Sequence, residues 1–286
     1  MKLLFYDDVK SRKPSVNLAI NNSYFKKVMT EEYDAIARVY RHEPGIILGC
    51  NESEGDINKN VCSSLGYEVV RRPSGGSAVL VDPSIICYSI FLSKKLMNNG
   101  GFNDLYKKIV FPLAQKMGEE FEVKGNYYIR QRTNSGLLPV AGHSMNTSKE
   151  VFQFDGIIHT EPLNMSYVKR MLKLRELRTY EDESVIAMED DIYTLGGKKT
   201  DILKEDTKLV RKEEDILKQI QGINESGVSE DKFINFLYET LTDAFGVFEK
   251  GTLPETLEEI VLKKEKNYLN ARGHCFVDFG EPEENF

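Results

Sequence analysis

The sequence predicts an α+β fold in which mixed or antiparallel sheets are flanked by helices. Three observations lead there. Short apolar runs bounded by Gly, Pro, Asp or Arg crowd the first third of the chain, at 35–41, 45–49, 67–72, 77–81 and 85–92. Stretches of helical period lie before, between and after them without strict strand–helix alternation. Finally, 41% of the 286 residues are hydrophobic and 10% aromatic, which supplies a sizeable core and excludes a disordered polymer.

Each element has its own signal. Val16 to Met29 carries Leu18, Phe25, Val28 and Met29 at roughly helical spacing and reads as a first, amphipathic helix. Ala35 to Arg41, holding Ile36, Val39 and Tyr40, reads as a strand, and Gly45 to Gly49 is a short apolar strand between glycines. Asp56 to Leu65 is a short helix closed by Gly66, and three extended pieces follow, Tyr67–Arg72, Ser77–Val81 and Ile85–Leu92. Asn103 to Met117 is a helix with Leu105, Ile109 and Leu113 on one face, Asn103 as its cap, and Pro112 predicting a kink or an early break. Phe121–Arg130 and Val151–Thr160 read as strands around a long loop, Gln131–Asn146. Ser166–Leu174 starts another helix, and the charge-rich stretch that follows reads as an insertion or small subdomain. A helix from Ser229 to Phe245 ends at Gly246, and a last one covers Pro254–Leu269 before an acidic tail.

Composition narrows the function classes. Asp plus Glu number 45 against 38 Lys plus Arg, a net charge of −7, which argues against a general nucleic-acid or anionic-membrane binder. A local basic pocket for a phosphorylated ligand remains compatible with it. Cys50, Cys62, Cys87 and Cys275 form no C-x-x-C pair and suit a reducing compartment. His42, His143, His159 and His274 are scattered singly, so no metal site is expected. The longest apolar window, Ile85–Leu92, is too short to span a bilayer, and Asp7 and Asp8 interrupt the apolar N-terminus, so no signal peptide is expected. A cytoplasmic protein is the expectation.

The segment richest in chemistry is Arg71-Arg72-Pro73-Ser74-Gly75-Gly76-Ser77-Ala78-Val79-Leu80-Val81-Asp82. Two adjacent glycines between strands permit positive φ and close approach of a ligand to the backbone. Successive backbone N–H groups there form an anion nest, with Arg71 and Arg72 supplying charge for a phosphate or carboxylate. An ordinary hairpin turn with solvated arginines is the alternative on local features alone.

The wider context favours the site. Asn17-Leu18-Ala19, Arg38-Val39-Tyr40-Arg41, Gly45-Ile46-Ile47-Leu48-Gly49, the Arg-Arg-x-Ser-Gly-Gly segment with Ala78, Val79 and Asp82, and Tyr88-Ser89 together resemble the lipoate–protein ligase A family of the biotin/lipoate ligase and octanoyltransferase superfamily. The resemblance covers about the first 165 residues and continues more loosely through Gly125-Asn126, Val140-Ala141-Gly142 and Asp155-Gly156. It implies a biotin/lipoate-ligase-like catalytic domain over 1–286, with 175–214 as an insertion, 229–270 as closing helices and no separate accessory domain. It also implies lipoylation chemistry. Members either adenylate lipoate with ATP and Mg and pass the acyl group to a lysine of a lipoyl-domain acceptor protein, or transfer octanoyl or lipoyl groups directly between carriers. A separate accessory subunit serves some of them.

By motif, Arg71, Arg72, Ser74, Gly75, Gly76, Ser77, Ala78, Val79, Leu80 and Gly142 would line the ligand, with Gly125 and Asn126 near Mg and phosphate. The chain departs from the pattern at ligand-facing positions. The family lysine falls on Pro139, the third loop glycine on Ser77, a histidine on Val81, an aspartate on Tyr127, and His-His-Gly on Phe154-Asp155-Gly156. Proline offers neither charge nor donor, so Arg132, His143 or Lys149 is the candidate replacement. Cys50 and Cys87 lie near the motif but read as small buried hydrophobes rather than nucleophiles. Two readings result: a ligase or acyltransferase with an altered site, or a non-catalytic acyl- or acyl-adenylate-binding regulator on the same fold.

Overall fold

The first strand is one that the sequence pattern leaves unassigned. Leu3–Arg12 (β1) combines an apolar start with a charged end, which hides the alternation. It is nonetheless an inner strand, and its charges are tolerated because Arg12 Nη1 donates to Asp8 Oδ2 over 2.8 Å within it. The computed structural model describes residues 1–161 and 222–253, apart from 53, 55, 56, 77, 98, 99, 125–127 and 135. The helices expected at 166–174 and 254–269 and the insertion expected at 175–214 lie outside the described residues.

After β1 come α1 (Pro14–Met29), β2 (Ala35–His42), β3 (Gly45–Leu48), α2 (Lys59–Ser64), β4 (Glu68–Arg71), β5 (Val79–Val81) and β6 (Ile85–Ser93). The chain continues through α3 (Phe102–Met117), β7 (Phe121–Lys124), β8 (Tyr128–Thr133), β9 (Gly136–Thr147) and β10 (Val151–His159). Residues beyond 221 supply α4 (Glu230–Phe245) and β11 (Glu249–Gly251). Eight strands form one mixed sheet in the order β11-β1-β2-β6-β10-β9-β8-β7, and three form a smaller one, β4-β3-β5. In the large sheet β1 runs parallel to both β11 and β2, whereas the pairs from β2 through β7 are antiparallel.

Strand alternation gives the large sheet two different faces. On one, Phe5, Val39, Ile90 and Phe154 pack against Leu105, Ile109 and Leu113 of α3 and Phe233, Leu237 and Leu241 of α4. On the other, Tyr6, Ile36 and Phe91 pack against Val16, Ile20 and Tyr24 of α1 and against Ile47, Val70 and Val81 of the small sheet. The far side of the small sheet makes its own core, in which Ile46, Leu48, Ala78 and Leu80 meet Cys62 of α2.

Three expectations need correction. The loop expected at 131–146 is a strand pairing, and the strand expected at 121–130 is the hairpin β7–β8. Pro139 hid the pairing. It stands opposite Arg130, where a register shift skips Val140 and where β9 has not yet begun to pair with β10, so its missing N–H breaks no bond on that side. Pro112 lies inside α3 without ending it, because Leu105, Ile109 and Leu113 are wholly buried on both sides of it. The cap of α3 is Gly101, whose N–H donates to Asp104 Oδ2 over 2.9 Å, rather than Asn103.

Candidate active site

The site is built where the small sheet's loops meet the α1-facing side of the large sheet. Arg72 ends the run begun by β4 and is buried; its Nη1 donates to the Ile47 carbonyl over 3.0 Å and its Nη2 to the Gly75 carbonyl over 2.7 Å. Arg71 Nη1 gathers the carbonyls of Gly49 at 2.7 Å and Glu52 at 2.8 Å. The two guanidinium groups therefore organise the turn from within. Gly76 has φ 83, and a Cβ on Gly49 would stand 1.7 Å from the Gly76 carbonyl oxygen, so the two loops touch through bare backbone. The Cys50 N–H donates to the Ser74 carbonyl over 3.1 Å and completes the joint. The direction in which a Gly75 side chain would point is open space, which leaves the outer side of the bend accessible.

Beneath the bend lies Asp155, half-buried and with donors on both of its oxygens. Its Oδ1 accepts from Ser89 Oγ at 2.6 Å, both oxygens accept from Gln153 Nε2 at 3.1 and 2.9 Å, and Oδ2 accepts from Ser74 Oγ at 3.3 Å. Ser74 Oγ also meets Ser144 Oγ at 3.1 Å. Burial pushes the Asp155 carboxyl above the ordinary carboxylate range, while its hydrogen bonds and the Arg72 charge pull it back. Arg72 in turn is lowered by burial and supported by Asp155 and Glu52.

This cluster continues across the sheet. Ser89 Oγ and Tyr40 Oη each accept from Asn21 Nδ2 at 2.9 Å, and Asn21 Oδ1 accepts from Arg38 Nη1 at 3.0 Å. Arg38, with no exposed surface, also donates to Asn17 Oδ1 at 2.7 Å and, through Nη2, to Asp8 Oδ2 at 2.8 Å. A guanidinium so placed is tolerable only because each of its faces meets an acceptor.

The sequence-derived residues divide sharply. Ser74, Gly75, Gly76 and Arg72 come together as the bend. Ala78 and Leu80 turn their side chains away from it into the small core against α2, so only their backbone is available to a ligand, and Val79 is half-buried beside Ile47. Gly142 lies on the site face of β9 against the ring of Tyr128, opposite Ile157. Ser77, Gly125 and Asn126 lie outside the described residues.

The three candidate replacements for the family lysine are not at the site. His143 sits on the opposite face, its Nε2 2.6 Å from the Tyr88 hydroxyl among Phe154 and Tyr106. The reason is parity: His143 pairs with Gly156, so it shares the face of Phe154, whereas Ser144 pairs with Asp155. Arg132 is exposed at the end of β8 and reaches Glu122 Oε1 at 3.4 Å. Lys149 is exposed in the turn between β9 and β10. The residue that sequence reasoning passed over is Arg130, half-buried and in register with Pro139; Ile129 and Gln131 on either side face the α3–α4 core, so Arg130 shares the site face with Tyr128. Its alternation within Tyr128–Thr133 was the available signal. Cys62 and Cys87 are buried thiols, both pushed up by burial, whereas Cys50, expected to be buried, is half-exposed beside the bend.

The catalytic-domain model for lipoyl protein ligases A and B matches residues 13–188, a span that contains the bend, Asp155 and Arg38. The chain belongs to this family. Among curated members, lipoate–protein ligase LplJ of Bacillus subtilis is 30% identical over 162 residues, 54% of this chain and 47% of that protein. An octanoyl-[GcvH]:protein N-octanoyltransferase of Lysinibacillus sphaericus is 28% identical over 135 residues, 43% and 48% of the two chains. The matched stretch thus spans about half the length of these two relatives. In three dimensions the fold is that of the bipartite lipoate protein ligase of Thermoplasma acidophilum, described with its E2 lipoyl domain: TM-score 0.66 over 96% of both chains at 14% identity.

Proposed function

We propose that this protein attaches a lipoyl or octanoyl group to a lysine of a lipoyl-domain acceptor, as a ligase or an acyltransferase with an altered site. The observation that carries the reading is the Arg72-held diglycine bend docked through Ser74 onto Asp155 and Ser144, inside the segment shared with the family. Backbone N–H groups of such a bend, beside a buried guanidinium, suit an oxygen on which negative charge develops. In the ligase form, a lipoate or octanoate carboxylate oxygen attacks the α-phosphate of ATP and pyrophosphate leaves. The acceptor lysine then attacks the acyl carbonyl and AMP leaves. In the transfer form the amine attacks the carbonyl of an acyl group held by a carrier, and the carrier's thiol or amine leaves. Mg would enter with the phosphates of ATP as part of the substrate complex.

Arg130 supports the charged half of this reading, because it is the guanidinium that β8 places opposite Pro139 on the site face. We take residues 1–286 as one catalytic domain in a cytoplasmic protein, with α4 as the first of its closing helices and a separate accessory subunit as a possible partner. A second reading, a non-catalytic acyl or acyl-adenylate binder, draws on Pro139, whose position offers no hydrogen to a carbonyl or phosphate.

Incubation with an apo lipoyl domain tests both. One sample receives lipoate or octanoate with ATP and Mg, and a second an octanoylated carrier protein. Acceptor gaining the mass of one acyl group identifies the enzyme and its donor. Tight binding of an acyl adenylate with no acceptor modified in either sample identifies the binder.

A further inference from the structure

The hydrogen-bond chain leading to Asp155 has only one self-consistent polarity. Arg38 is a donor at every nitrogen, so the Asn21 oxygen must face it and the Asn21 NH₂ must face Tyr40 and Ser89. Ser89 spends its single hydrogen on Asp155 over 2.6 Å, which makes Tyr40, 3.0 Å away, a donor to Ser89. Both Ser89 lone pairs are then filled and every hydrogen in the chain points toward the carboxylate. On its other side Asp155 takes the Ser74 hydrogen, so Ser74 accepts from Ser144.

A carboxylate has about four acceptor positions. Those of Asp155 are met by Ser89, by Gln153 at both oxygens, and by Ser74. A direct acid–base part would have to displace one of these donors. What the carboxylate controls is the direction of the Ser74 hydroxyl and, through it, the seat of the bend on β9 and β10.

We propose that Asp155 is the positioning residue of the acyl site: held rigidly by the chain from Arg38, it turns the Ser74 hydrogen inward and seats the Gly75–Gly76 backbone for the ligand. The inference rests on the acyl-site reading above and adds to it that Ser74 serves as an acceptor in the resting site. Anionic oxygens of the ligand then rely on backbone N–H groups rather than on the serine. Asp155→Asn would break this order, since an amide set among Gln153, Ser89 and Ser74 donors must oppose hydrogen to hydrogen at one of them.

The test is calorimetric titration with a non-hydrolysable lipoyl adenylate, an acyl sulfamate, of the wild type, D155N, S74A and the D155N/S74A pair. Each single change is expected to weaken binding about tenfold, and the pair no more than D155N alone, because the two residues act as one unit. Ser74→Thr, which keeps the hydroxyl, should restore affinity. Singles that bind like the wild type, or a pair whose loss is the product of the two, overturn the proposal. So does S74T binding as weakly as S74A. Should D155N not fold, Ser89→Ala takes its place in the cycle with the same expectation and the same overturning results. Wild type that binds none of lipoyl sulfamate, lipoate or octanoate overturns the acyl-site reading itself, a result seen in a different sample from the one that tests Asp155.

Discussion

The Ser89 hydroxyl donates to Asp155 over 2.6 Å, and this bond joins a polar chain that begins at Arg38 to the diglycine bend. Structural residues and the candidate site therefore share one polar network, and perturbation at the far end should be felt as lost stability.

Arg38→Met is expected to destabilise strongly, by about 3–5 kcal/mol, because it leaves Asp8 enclosed with one of its two guanidinium partners gone and strips the acceptors of Asn17 and Asn21. Urea unfolding followed by circular dichroism measures it. A loss below about 1 kcal/mol would show that water replaces the guanidinium.

Gly156→Ala should also destabilise, by about 1–3 kcal/mol or more, since the new methyl would stand 2.1 Å from Cζ of Tyr88. Shortening the ring residue in the same chain, Tyr88→Leu, should recover part of the loss. Additive costs in the double variant would rule out the clash as the cause.

Acid should weaken the fold through two buried histidines. Burial lowers His159 to about 4, and burial with the Arg38 charge lowers His42 to about 3. The His42 ring accepts at Nδ1 from Asn17, so protonation would set hydrogen against hydrogen. An unfolded histidine titrates near 6.5, so the unfolded chain binds the extra protons first as pH falls. The contribution is complete above about pH 6.5 and is lost progressively from there toward pH 4 for His159 and pH 3 for His42, at about 1.4 kcal/mol per pKa unit of depression. Thermal melting in overlapping buffers should show the decline, with a shallower slope for His159→Gln.

Among the basic residues near Pro139, Arg130→Ala should weaken binding of the lipoyl sulfamate about tenfold or more, as expected for loss of a charge-assisted contact. Arg132→Ala and Lys149→Ala should leave it unchanged, and His143→Ala should lower the melting temperature without altering affinity, because it bonds Tyr88 on the other face. A reversed ranking would remove Arg130 from the site.

Thiol labelling offers an independent check on burial. Of Cys50, Cys62 and Cys87, only Cys50 is half-exposed, and burial disfavours the thiolate of the other two. Peptide mapping after brief maleimide treatment of native protein should find Cys50 modified ahead of both. Equal labelling would mean that the sheet opens on the labelling timescale.

Periodicity found the elements whose polarity pattern reports burial directly. Helix α1, strands β2 to β6 and helix α4 are legible because each is a run dense in apolar residues bounded by polar, Gly or Pro residues. Strand β1 escaped notice because Asp8 and Arg12 cancel each other inside the fold, a pairing that depends on strand geometry and not on local composition. β9 escaped because Gly136, Pro139, Gly142 and Ser144 are turn-forming residues, and only pairing with β8 and β10 makes them a strand, while β7 and the first half of β8 read together as one strand. At the site the bend was legible from its glycines, since few residues tolerate that backbone. The face of His143 was not, because a strand that reads as a loop has no parity to count, whereas Arg130 ended an expected strand and its face could have been counted.

The parallel pairing of β1 with β11 also governs how the chain must come together. Leu4, Phe5 and Tyr6 meet Glu249, Lys250 and Gly251, so β1 gains its outer neighbour only when synthesis has passed residue 251. Until then that edge offers unsatisfied amides to any passing strand, and nascent polypeptides stalled short of this point should draw chaperones or aggregate.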